Sequence, residues 1–140
     1  MKKPYILKVN SLKRGWCDRD QILLHASFQI LIDFIEQERP DRHIDWSHDK
    51  IHKHAWREIE TLYSWWKSKR PSRRNPLDRK GLMTPPFKID HNGRMVQPDK
   101  KKYAAYYRAL KEFLRFEKKW EAEDQQNLYR LIAIRRFLWT

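Results

Sequence analysis

Glycine is almost missing from this chain, with three in 140 residues, and proline is crowded, five of seven falling between Pro71 and Pro98. Punctuation this uneven predicts long helical stretches around one irregular segment. Cysteine occurs once, as Cys17, which excludes a disulfide framework and a thiolate zinc cluster and fits a reducing cytoplasm. Long apolar runs are also absent. The most apolar stretch, ILLHASFQILIDFI, is broken by His25, Gln29 and Asp33 and is too short to span a bilayer. The opening MKKPYILKVNSLKRGW is basic but lacks the apolar run and small-residue cleavage site of a signal peptide. The expectation is a soluble cytoplasmic protein with no membrane role. Negative charge is scarce as well, with 18 Asp and Glu against 31 Lys and Arg, a net charge of +13. Self-repulsion on that scale is relieved by a polyanion or an acidic protein surface.

What is present supports a folded core. Hydrophobic residues make up 40% of the chain, with seven Trp, six Tyr and six Phe, and a domain of this length buries roughly 70% of its unfolded surface. One domain over residues 1–140 is expected. A first helix should start at Asp18, with Gln21 completing a capping box, and end at Pro40. It is apolar nearly all round apart from a stripe at Gln21, His25, Gln29 and Asp33, as befits the middle of a bundle. A second should run from about Ser47 to Lys69, capped by Ser47 or Asp45 and stopped by Pro71, with Ile51, Ala55, Ile59, Leu62 and Trp66 as its apolar stripe.

Residues 70–98 then lack helical periodicity. Within them FKIDHNGRMV suggests a small hairpin, with Asn92-Gly93 suited to a type I′ turn. From Asp99 onward neither Gly nor Pro occurs. Tyr103, Tyr106, Leu110, Phe113 and Trp120 form one apolar seam, and Leu128, Leu131, Ile132, Leu138 and Trp139 another. Whether the polar run EAEDQQN between them interrupts the helix, with Asp124 as a new cap, stays open. The fold class is therefore all-α: a small bundle of three or four helices with a long irregular Pro-rich insertion carrying a possible short hairpin.

HASFQILIDFIEQE followed by AWREIETLYSWWKSKRP, together with the closing EAEDQQNLYRLIAIRRFLWT, resembles a family of small uncharacterised proteins encoded by tailed bacteriophages. Its most distinctive marks are the paired Trp65 and Trp66 and the terminal Leu138, Trp139 and Thr140. The resemblance implies a viral protein acting in the host bacterial cytoplasm, and it implies no activity and no catalytic residues.

The densest feature is KKKYAAYYRALKEFLRFEKKW. At 100° per residue, Lys101, Arg108, Lys111, Arg115, Lys118 and Lys119 share an arc of about 100° with no Glu inside it. This single-sign ridge fits a phosphate backbone, an acidic protein, or simply a solvated face. A second cluster holds Lys67, Lys69, Arg70, Arg73, Arg74, Arg79 and Lys80, where guanidinium groups could bridge phosphates or stack on bases. Trp65, one residue's rotation away from Trp66, is the candidate for an exposed interface anchor. His48 and His52 stand four apart with Asp45 and Asp49 nearby, a spacing able to hold a metal. No HExxH accompanies them, a solvated histidine patch is the default, and no metal or other cofactor is expected. Asp78 and Asp90 are only loose candidates for a metal nuclease, and His25 and Asp33 should be satisfied by hydrogen bonds. No Gly-rich phosphate loop or nucleophile elbow occurs. The expected function is non-enzymatic: binding of nucleic acid or a nucleoprotein through a basic surface. The alternative is a protein-binding modulator of a host enzyme or defence system, steered by charge towards an acidic target.

Overall fold

The structure, a computed structural model, describes residues 5–139, so Thr140, one of the terminal residues singled out in the sequence, lies outside the described residues. It is all-α: α1 (Arg19–Glu38), α2 (Pro40–His43), α3 (Lys50–Ser64) and α4 (Ala104–Ala133), with a π-turn at Trp65–Lys69 and three short 3-10 turns. None of these helices is long and apolar enough to cross a membrane. Length suggests one domain; the chain divides into two compact units, Met1–Ser72 with Glu123–Thr140, and Arg73–Ala122.

In the first unit, α1 begins after Asp18, but the Asp18 side chain makes no capping bond. Gln21 reaches Asp20 instead, at 3.4 Å, so the expected capping box does not form. The helix ends at Arg39, whose φ of 50° is left-handed, and Pro40 opens the one-turn α2, where its missing N–H costs nothing. α1 is not buried all round. Leu24, Phe28, Leu31, Ile32 and Phe34 are buried, whereas Ile22, Leu23 and Ile30 face outward. Its polar stripe is covered by the preceding segment: Asn10 N–H donates to Gln29 Oε1 (3.1 Å), and Ser11 Oγ lies 2.7 Å from His25 Nδ1. Gln29 in turn donates to Asp33 (2.8 Å), so the buried polar groups are paired.

The cap of α3 is Asp49, two to four residues beyond the expected Ser47 or Asp45; its carboxylate accepts the His52 N–H at 2.7 Å. Asp45 instead accepts the Ser47 N–H and shapes the approach. α3 packs Ala55, Ile59 and Leu62 onto α1. Phe28 is fully buried and stacks on Trp66, with centroids 4.5 Å apart and planes 6° from parallel. The core is completed by Leu131 and Ile134 from the far end of the chain. Of the closing seam, Ile132 and Trp139 are exposed.

In the second unit, the residues before α4 form irregular chain with one antiparallel bridge, Ile89 to Met95. The hairpin thus exists, but not as a type I′ turn. Gly93 alone takes a positive φ, 75°, while Asn92 does not. The Asp90 carboxylate accepts the amides of Asn92 and Arg94, both at 2.9 Å, fastening a tight turn that ends in a left-handed glycine. α4 is one continuous rod of 30 residues. EAEDQQN does not break it because Glu, Ala and Gln are good helix formers and no Gly or Pro intervenes.

Candidate nucleic-acid interface

Ahead of α4, Asp99 Oδ1 accepts the amides of Lys101 (2.9 Å) and Lys102 (3.3 Å), which starts the rod. Lys101 therefore lies in the entry turn rather than on the helix. Arg108, Lys111, Arg115, Lys118 and Lys119 stand on α4, and all six side chains are exposed. Among the described residues, none of the six forms an ion pair.

Beside this ridge runs an open groove of about 590 Å³, lined by Arg73, Arg74 and Arg79 together with Asp78, Glu112 and Phe116. The loop wall is locally determined. The Asn75 side chain accepts the Leu77 N–H at 2.9 Å, capping the short turn Pro76–Asp78. Arg73 lies over the Trp120 ring at 5.7 Å and its Nη2 donates to the Trp120 carbonyl at 3.4 Å. Phe116 and Trp120, one helical turn apart, stack with centroids 5.7 Å apart, and Arg115 lies 5.7 Å from the Phe116 ring. Lys80 is exposed just after Arg79. The second unit holds fourteen of the 31 Lys and Arg but only six of the 18 acids. Ala109 is its one buried apolar side chain.

The rest of the second basic cluster belongs to the first unit, where Arg70 and Lys67 are paired. Arg70 Nε donates to Asp124 Oδ1 at 3.0 Å and its Nη2 to Oδ2 at 3.2 Å, while the guanidinium lies 4.7 Å from the Trp66 ring. A two-pronged, half-buried pair of this kind is a packing element. Lys67 pairs with Glu36 at 2.9 Å; that bond and one from Tyr63 hold Glu36 below the usual carboxylate range. Lys69 is exposed at the end of the π-turn.

Trp65 is no exposed anchor. It is 6% exposed, packs on Phe28 at 5.3 Å, and donates its indole N–H to Glu123 Oε1 at 2.6 Å. Trp65 and Trp66 stand three and four residues after the buried Leu62 and so share its inward face, at the start of a π-turn in which the Arg70 N–H reaches back to the Trp65 carbonyl. Both indoles belong to the buried core. Sequence reasoning also missed the Phe116–Trp120 pair as part of the basic face; the signal was an aromatic pair at i,i+4 flanking the ridge. No family model, curated protein or solved structure matches this chain.

Proposed function

We propose that the protein binds nucleic acid along its phosphate backbone, without catalysis, through the Arg73–Ala122 unit. The observation that carries this reading is the row of exposed, unpaired cations on α4 beside an arginine-walled groove. From Arg108 to Lys119 the ridge extends roughly 16 Å at ~1.5 Å per residue, while a duplex carries one charge per ~1.7 Å of axis. The ridge therefore meets several phosphates, and each neutralised phosphate releases counterions. The half-buried Phe116–Trp120 pair with its two arginines adds a surface for a base from a single strand, a contact worth about 1–3 kcal/mol. Nothing in the helical arrangement resembles a base-reading element, so recognition rests on backbone and shape. The resemblance to tailed-phage proteins supports a viral accessory protein working in the bacterial host.

Titration of fluorescent single- and double-stranded oligonucleotides at several salt concentrations tests this. Log affinity should fall linearly with log salt, and Lys111→Glu/Arg115→Glu/Lys118→Glu should lower affinity by at least about tenfold and flatten the slope. An absence of binding at ~50 mM salt would overturn the reading and favour the acidic-protein partner that the same charge pattern suits.

A further inference from the structure

The start of α3 gathers three side chains that nucleic-acid binding leaves unused. His48, Asp49 and His52 offer ligand atoms that all lie within 4.8 Å of one another. His48 Nε2 is 2.7 Å from Asp49 Oδ2, and His52 Nδ1 is 2.9 Å from Asp49 Oδ1 and 3.0 Å from Oδ2. The two imidazole centroids are 4.1 Å apart. The carboxylate is fixed in place because it caps α3 through the His52 N–H. His52 is half-buried, with the Phe137 ring edge-on at 5.4 Å and Trp46 at 6.1 Å.

The decisive detail is the other nitrogen of His48. Nδ1 lies 2.8 Å from the Asp45 carbonyl oxygen, which can only accept, so Nδ1 carries a hydrogen. In a neutral ring Nε2 is then a lone pair, and it faces a carboxylate oxygen at 2.7 Å. Two lone pairs at that separation repel, so the arrangement is favourable only around a cation, either a proton or a metal ion. A ring N–H given to a backbone carbonyl is also how metal-binding histidines are commonly oriented.

We propose that His48 Nε2, Asp49 Oδ2 and His52 Nδ1 bind a divalent cation of the zinc class. Two imidazoles and one carboxylate suit such borderline ions, whereas Mg²⁺ and Ca²⁺ require oxygen-rich shells. A tetrahedral ion with ~2.0–2.1 Å bonds spaces its ligands roughly 3.3 Å apart. The histidine–aspartate separations of 2.7 to 3.0 Å need open only slightly, and the exposed His48 side chain has room to move. Water completes the shell on the exposed side. The bound ion fastens the segment preceding α3 to the first turn of that helix.

Calorimetric titration with Zn²⁺ and absorption titration with Co²⁺ test the site, with Trp46 fluorescence as a local reporter. One equivalent should bind, ~1 mM Mg²⁺ should not displace it, and His48→Ala or His52→Ala should each weaken binding at least tenfold. His54→Ala, outside the cluster, should leave it unchanged. Imidazole nitrogen NMR of the unmodified protein should show two rings, and no others, shifting with Zn²⁺; this reading survives even if a variant misfolds. Failure of the folded protein to take up Zn²⁺ stoichiometrically, or uptake that persists in the His48→Ala/His52→Ala double variant, overturns the proposal.

Discussion

His25 sits under the segment that covers α1, with Ser11 Oγ 2.7 Å from its Nδ1 and the Trp66 ring edge-on at 4.9 Å. Burial first, and the Arg70 guanidinium second, push its pKa below the usual imidazole value, while Asp124 opposes them. The folded protein therefore favours the neutral ring. The stability this contributes is complete above the unfolded imidazole value of about 6.5 and is lost as pH falls through the lower folded value. The melting temperature should accordingly decline as pH is lowered from about 7 to 5, and His25→Gln should reduce that slope. Identical slopes for the two proteins in thermal melts would refute the assignment. Asp33, the other ionisable member of the same stripe, accepts from both Gln29 and Gln37, as hydrogen-bonding logic alone had suggested.

The segment Trp65–Lys69 carries two indoles of the first unit's aromatic core. The sequence reading put Trp65 outward because it is rotated about 100° from Trp66. Both indoles reach Phe28, because the positions three and four after the buried Leu62 lie on one helix face. Trp65→Ala should therefore destabilise the protein by about 3–5 kcal/mol, read as a lower urea midpoint. Lys67→Ala, in the same turn but held only by the half-exposed Glu36 and by the Tyr63 ring at 6.0 Å, should cost less than about 1 kcal/mol. Equal effects would mean that the turn does not act through aromatic burial. α4 behaves differently: its continuity is encoded locally, residue by residue, and the polar run inside it was never a barrier.

Across the whole molecule, burial and charge are unequally shared. The first unit holds the buried apolar cluster; the second has little buried surface and an excess of eight positive charges. Stability should thus be governed by the first and polyanion affinity by the second. Arg42, Lys53 and Arg57 are exposed on the first unit and provide the comparison. Reversing these three to Glu should change oligonucleotide affinity by less than about threefold, against at least about tenfold for the α4 triple variant. Similar losses from both would show that net charge, rather than the α4 face, drives binding.

The all-α class, the irregular insertion between the helices and the cationic row on α4 followed from the sequence by itself. Each depends on spacing within a turn or two of one helix, and on glycine and proline, whose effects are local. Tertiary structure alone decided which cations stay available. Arg70 meets Asp124 across 54 positions and Arg130 meets Glu58 across 72, separations at which no local period carries information. It likewise turned Trp65 inward and laid Arg73 beside Trp120. The cluster of His48, Asp49 and His52 is local and was legible as a spacing, but the Phe137 ring against His52 comes from the far end of the chain, since packing sets side-chain direction once neighbours distant in sequence compete for the same space.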